Sequence, residues 1–237
     1  MGNRLRSLTL LNETRQKGKG MDQTAQSPER HVILGAGGHA RVLCDLLRSA
    51  GKTVVAFSDS SPSRAGTVIC GLPVIAEADL AATFSPGAVL LVNGVGGVRD
   101  MSARQAIFEQ FQQRGYRFAT LVHPTAFVAH DTVLEEGAQV LAGAMVITGA
   151  MVGKNTILNT RASVDHDCHI GAHCHIAPGV TLSGGVRVGD ATLIGTGASV
   201  IQGIRIGTRC IVGAGAAVVR HIADGVMAVG VPARQCR

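Results

Sequence analysis

The sequence predicts a two-part protein, an α/β N-terminal domain followed by an all-β, three-faced parallel β-helix, and two observations carry that prediction. From Val128 to Val218 every sixth residue is aliphatic, without a failed step, and four residues after each, up to Ala216, comes a second small or aliphatic residue such as Thr132, Ala138, Ala150, Cys168 or Cys210. Before that stretch, from His31, the pattern is instead buried strand, glycine turn and helix. A helix would place apolar residues three and four apart and a flat strand would alternate, so period six excludes both. It fits short strands joined by tight corners, three to a coil, with coils stacked into a prism. Glycine and asparagine just after the aliphatic position (Gly153, Asn159, Gly171, Gly189, Gly195, Gly207, Gly213) are expected to serve the turns. An irregular glycine-rich sandwich is the plain alternative.

Residues 1–30 are polar and aperiodic and are read as a disordered extension, 31–122 as the α/β domain and 123–237 as the prism. In the α/β part, HVILGAGGHARVLCDLLRSAG reads as strand, turn and helix, TVVAFSD as a second strand ending at Asp59, and GAVLLVNGVGG as a third, after a loop holding Gly71 and Pro73. A helix is expected over Val98 to Arg114, then a last strand, YRFATLV, before Pro124 opens the prism. Strands alternating with helices imply a small parallel sheet. The tail after Val219 is expected to cap the last coil.

Composition narrows the function. The chain has 237 residues and a formal net charge of +6, but Arg4, Arg6, Arg15, Lys17 and Lys19 against Glu13 supply +4 of that within the first twenty residues. The remainder is nearly neutral, which argues against nucleic-acid binding. Its six cysteines form no C-x-x-C pair, and three fall in small interior slots, as in a reduced cytoplasmic protein. No apolar run reaches the ~18 residues a membrane span needs, so no membrane insertion is expected.

Two stretches carry chemistry. The turn Gly35-Ala36-Gly37-Gly38-His39 follows a strand and opens a helix, so its N–H groups can receive a phosphate, with Asp59 at the end of the next strand placed for a ribose or base. The sheet is too small for the two halves a dinucleotide spans, so a mononucleotide fits better. A turn that merely packs tightly is the other reading. The densest polar group, SVDHDCHIGAHCHIAPG, holds Asp165, His166, Asp167, His169, His173 and His175. His166 lies two residues past inward Val164 and should project from a corner, with Asp167 able to hold the ring and raise its basicity; an imidazole of ordinary pKa near ~6.5 suits proton transfer at neutral pH. Solvated surface histidines are the bland alternative. A metal site like that of the γ-class carbonic anhydrases is the sharp one, but their histidine pair five apart is missing here, since Gly171 stands five after His166.

Together the halves resemble the bacterial nucleotide-sugar acetyltransferases of the PglD/NeuD type, which join a small Rossmann-like domain to a left-handed parallel β-helix. The resemblance covers residues 31–237 and rests on VILGAGGHARVL, NTRASVDHDCHIGAHCHIAPG, GTGASVIQGIRIG, GAGAAVV and the terminal GVPAR. It implies that Gly37, Gly38 and His39 contact the nucleotide-sugar, that Asp59 and Ser60 recognise the nucleoside, and that Gly94 closes that pocket. It implies His166 as general base enhanced by Asp167, Asn159 in the acceptor site, and acetyl-CoA meeting His175, Thr196 and Ala214, with a main-chain N–H near Gly184 for the oxyanion. The run VGGVRD after Gly94 departs from the more polar turn of relatives and puts base and sugar specificity in question. Implied further are acetyl-CoA as co-substrate, no metal, a homotrimer with active sites between subunits, and N-acetylation of the 4-amino group of a nucleotide-linked sugar, with UDP as carrier, for glycan or surface polysaccharide synthesis. O-acetylation of a sialic acid is the close alternative; a metal hydratase and a non-enzymatic scaffold are the distant ones.

Overall fold

The computed structural model describes residues 29–97 and 100–236. The first 28 residues of the expected extension lie outside that range, and its last residue, Arg30, already opens a strand. The N-terminal sheet comprises β1 (Arg30–Leu34), β2 (Thr53–Asp59), β3 (Val68–Ile69), β4 (Leu72–Ala76) and β5 (Leu90–Asn93), with spatial order β3-β4-β2-β1-β5. Strand β1 pairs in parallel with β2 and β5, and β2 with β4. The stretch around Gly71 and Pro73, expected as loop, is a β3–β4 hairpin that extends the sheet; two-residue β3 is too short for alternation to betray it. Helix α1 (Gly38–Ser49) packs Leu43, Leu46 and Leu47 against the sheet, α2 (Leu80–Thr83) is a single turn, and α3 (Ser102–Gln113) is shorter than expected.

The run YRFATLV does not add one strand to this sheet. Phe118 makes an isolated bridge to Leu91, while β6 (Leu121–Val122) pairs with Gln139–Val140 of the prism. The prism therefore starts on the N-terminal side of the boundary expected at 122/123, and the two parts share a continuous run of chain with no linker between them.

Sixteen two-residue strands follow, β7 (Phe127–Val128) to β22 (Ala217–Val218), and the second residue of each is the aliphatic hexad position. Each strand up to Ser199–Val200 pairs in parallel with the one 18 residues later, as Met145 with Ser163, so three hexads make a coil. From Val140 onward every inward aliphatic is at most 3 % exposed, each such burial being worth about 1.5–3 kcal/mol. The glycines after the inward residue prove to be needed for a reason other than turn backbone. Their φ values are not left-handed; a Cβ at Gly153 would lie 2.6 Å from Ala172 N, and one at Gly195 2.6 Å from Ala214 N, so the next coil excludes it. The left-handed corner residue comes two positions later, as at Gly137, Gly143 and Gly149, or as Asn155, Arg161, Asp167 and His173 with φ of +56°, +57°, +58° and +57°. Past Val219 the chain closes the last coil: β23 (Met227–Val229) pairs with Ile211–Val212, and β24 (Arg234–Gln235) folds back antiparallel on β23.

The three faces differ in what their outward residues meet. One, the docked face, turns Gln139, Ile157, His175 and Leu193 toward the N-terminal domain, and all are buried. The next, the apolar face, presents Phe127 and Met145 to solvent at 55 % and 46 % exposure, followed by Ser163, Thr181 and Ser199. The third presents Met151, His169, Arg187 and Arg205 and is called the basic face. Among the described residues no helix is long and apolar enough to cross a membrane.

Candidate active site

The glycine turn lies where β1 hands over to α1. Gly35 takes φ +85°, a backbone that favours glycine. Gly37 and Gly38 are small for a different reason, because a Cβ on either would meet nothing within 4 Å. Space is left open over the first N–H groups of α1, which have no intrahelical acceptor. Asp59 Oδ2 accepts from Ala36 N–H at 2.8 Å and Oδ1 from Ser61 N–H at 2.9 Å, so this carboxylate holds the shape of the turn and of its own loop. Arg64 donates to the Ala36 carbonyl. A cleft of about 550 Å³ opens over Gly37 and Gly38 with Arg41 and Arg64 on its walls, and a second, of about 540 Å³, is lined by Asp59, Ser60, Glu77 and Arg114. Exposed donors and two guanidinium groups suit a diphosphate. Arg64, in an aperiodic loop, left no signal in the sequence; Arg41 stood inside the glycine motif without being singled out.

Gly94 lines neither cleft. A Cβ there would lie 2.6 Å from Leu34 O and 2.7 Å from Ala40 Cβ, so Gly94 is glycine to let the end of β5 approach β1 and α1.

His166 stands at the corner between the apolar and basic faces, with its side chain 47 % exposed. Its Nδ1 donates to Asp167 Oδ2 at 2.8 Å, leaving the Nε2 lone pair as the basic site. That hydrogen bond, ahead of the burial that opposes it, holds the imidazole above the ordinary histidine range. Gly184, on the next coil, lies under the ring: an added Cβ would come within 2.4 Å of Nε2. His169 turns its Nδ1 back to the Asp167 carbonyl at 3.1 Å and belongs to the basic face. His173 is packed away, accepting from Asn155 Nδ2 at 3.0 Å with Phe108 edge-on to its ring at 5.6 Å. A separate groove of about 490 Å³ on the basic face holds none of the expected site residues. Among the described residues no three His, Cys, Asp or Glu side chains gather as metal ligands.

His175 is an outward residue of the docked face. Its Nδ1 donates to Gly97 O at 3.0 Å, and its Nε2 faces Asn159 Nδ2 at 2.9 Å. Burial lowers its pKa, against the hydrogen bond to Gly97. His39 at the start of α1 faces Gln139 Oε1 at 2.9 Å, and burial first, then the nearby Arg104 cation, pull it down to about 4. Thr196 and Ala214 occupy the same corner as Asn159, between the docked and apolar faces.

The expected site residues thus fall into two groups. The glycine turn, His39, Asn159, His175, Thr196 and Ala214 lie on or beside the docked face; His166, Asp167 and Gly184 lie at the far edge of the apolar face. One chain does not bring them together.

A parallel prism of hexads with an exposed His–Asp pair at one corner points to a hexapeptide-type acyltransferase. Family comparison agrees: residues 30–111 match the PglD N-terminal domain, residues 149–184 the bacterial transferase hexapeptide (six repeats), and 185–220 the hexapeptide repeat of succinyl-transferase. A histidine-to-asparagine mutant of perosamine N-acetyltransferase from Caulobacter crescentus, in complex with CoA and GDP-perosamine, is 38 % identical with TM-score 0.82, covering 89 % of this chain and 98 % of that one. The acetyltransferase domain of PglB from Neisseria gonorrhoeae, in complex with acetyl coenzyme A, is 34 % identical with TM-score 0.81, covering 89 % of this chain and 100 % of that one. WeeI from Acinetobacter baumannii, 23 % identical with TM-score 0.73 and covering 88 % and 100 %, shares the fold. No curated protein sequence matches the chain. The chain belongs to the hexapeptide-repeat nucleotide-sugar acetyltransferases of the PglD/NeuD type, with a Rossmann-like first domain and a left-handed parallel β-helix as the second. It is an acetyltransferase, and acetyl-CoA is its co-substrate.

Proposed function

We propose that this chain transfers the acetyl group of acetyl-CoA directly to the 4-amino group of a nucleotide-linked sugar, in glycan or surface polysaccharide synthesis, at sites shared between subunits of a homotrimer. The observation that carries the reading is the His166–Asp167 pair, whose geometry leaves Nε2 as the proton acceptor, with Gly184 small enough to let the ring lie over the next coil. An amine attacks a thioester only through its lone pair. As the N–C bond forms, His166 Nε2 takes the amine proton; the C–S bond then breaks and the proton passes to the departing CoA sulfur. Such general base catalysis is worth ~100- to 10,000-fold in rate, and holding both substrates side by side supplies more.

The split of the site supports the shared arrangement. The apolar face lies between the two groups of site residues and exposes Phe127 and Met145. If that face turns inward against its copies, the His166 corner of one chain meets the Asn159 corner and glycine turn of the next, and apolar surface is removed from water. The diphosphate is held over Gly37 and Gly38 with Arg41 and Arg64, the nucleoside lies beside Asp59 and Ser60, and CoA runs along Thr196 and Ala214. The CoA- and GDP-perosamine-bound relative supports an amine acceptor. It also favours GDP over the UDP that the resemblance implies, and the two are separated by experiment.

Purified protein is incubated with acetyl-CoA and a panel of UDP- and GDP-linked 4-amino sugars and free sialic acids, following CoA release and product mass. Acetylation of one nucleotide-linked amine is the expected result. Reaction of free sialic acids alone would replace it with O-acetylation.

A further inference from the structure

Arg104, in α3, is fully buried, yet among the described residues no carboxylate hydrogen-bonds to it. Its guanidinium is spent on main-chain carbonyls from three places. Nε donates to Asn155 O at 3.0 Å, at a left-handed corner of the prism. Nη1 donates to Asn93 O at 2.8 Å, the end of β5, and to Val95 O at 2.7 Å, in the turn that follows. Nη2 is buried and has no partner among the described residues. Desolvation lowers the pKa to about 9, which leaves the group charged at neutral pH. Removing a charge from water without a counter-ion is costly, so a purely structural tie at this point would be better made by an apolar or amide side chain.

What surrounds Arg104 supplies a reason for the cation. The Asn93 carbonyl that it binds also accepts from Gln139 Nε2 at 2.9 Å, so the Gln139 Oε1 faces His39 and requires that His39 carry its proton on Nε2. The 94–97 turn that it anchors offers Gly97 O to His175, which requires the proton on Nδ1 there and leaves Nε2 to accept from Asn159. Asn93 and Asn155 brace the same junction, with Asn93 Nδ2 donating to Asn155 Oδ1 at 3.1 Å and to Arg104 O at 2.9 Å. Both imidazoles that the family resemblance assigns to the substrates therefore hang from backbone that one guanidinium holds.

We propose that Arg104 is a positioning residue for acetyl transfer: it fixes the 94–97 turn against the prism and through it sets the ring orientation and tautomer of His175, and with them Asn159, while its hold on Asn93 does the same for His39 through Gln139. The proposal rests on the reaction proposed above. The cation also lowers the pKa of both rings, as a second contribution after burial for His39 and as a lesser one for His175, which keeps them neutral. Lysine cannot take over, because a single ammonium lacks the planar fork that reaches three carbonyls in different directions.

The test begins with turnover by the wild-type enzyme on the substrate panel, so failure of the parent reading is seen separately. Arg104→Lys, His175→Gln and the double variant are then compared, with melting temperature recorded. Each single change is expected to lower kcat on the order of 10- to 100-fold, as misplacement of a site group does, and the double variant to be no worse than the poorer single one. Losses that multiply would overturn the proposal, because a residue that only supports the fold acts independently of His175. Should Arg104→Lys not fold, ¹⁵N spectra of the wild-type histidine rings decide: His175 neutral with Nδ1–H and His39 neutral with Nε2–H are expected, whereas His175 protonated, or carrying its proton on Nε2, would overturn it.

Discussion

The docked and apolar faces of the prism obey one hexad rule and have opposite fates. Inward, both are filled by the same aliphatic series. Outward, the docked face carries Gln139 and Ile157 at 1 % and 0 % exposure under the N-terminal domain, while the apolar face leaves Phe127 and Met145 in the open. The hexad builds the prism, and the residue just before each inward position decides what the prism binds. On the docked face the partner is the chain's own first domain; on the apolar face we propose that it is another copy. The two halves of the site sit at opposite edges of that apolar face, so assembly and chemistry are coupled in this account.

The largest effect that sharpens this comparison is expected at the free corner. His166→Ala should lower kcat by ~100- to 10,000-fold while leaving the assembly mass unchanged, because its side chain is half exposed and its one side-chain partner, Asp167, is exposed as well; near-normal turnover would remove His166 from the base role. Next comes Met145→Glu on the apolar face. A carboxylate closed into an interface without a partner is strongly unfavourable, so light scattering should report smaller species and activity should fall with them; an active, unchanged assembly would mean that this face stays in water. On the docked face, Ile157→Ala should cost about 2–5 kcal/mol in unfolding free energy, as for a fully buried core residue, measured by denaturant titration.

A smaller effect separates the dyad's two members. Asp167 raises the pKa of His166, and the base works only when neutral, so activity rises as pH climbs through that pKa. Asp167→Asn removes the raising interaction, and the acid limb of the kcat profile should move to lower pH, with a loss at the plateau of about 10-fold, toward the low end of general base effects. An unmoved limb would dissociate Asp167 from the base. His169→Ala, three residues from His166 but turned to the basic face, should change turnover by less than about 2-fold, within the range of surface substitutions.

The repeat of the prism was legible because an inward position every six residues is a geometric necessity, and all sixteen aliphatic positions from Val128 to Val218 are strand residues, whereas β6, ahead of the first hexad, was not. Less legible were features set by contact between distant segments. The Gly153 and Gly195 series looked like turn residues, since sequence shows a missing side chain and not the coil that forbids it. The split of the site was present in the numbering, for Asn159 and His166 are one hexad and one residue apart and so occupy successive corners. Which face receives the N-terminal domain was not, because that depends on Gln139 and Asn155 meeting α3 and β5 across the chain. Arg104 and Arg64 were invisible for the same reason.

The most direct test of a site shared between chains is complementation. His166→Ala disables the free corner, and Gly38→Asp disables the nucleotide turn of the same chain by placing a carboxylate in the open space meant for a diphosphate. Each variant alone should be nearly inactive. Co-expressed in equal amounts and purified as mixed assemblies, they should recover activity at about one quarter of the sites, those pairing an intact corner with an intact turn from the neighbour. A mixture that stays as inactive as its parents would contradict the account and return the whole reaction to a single chain.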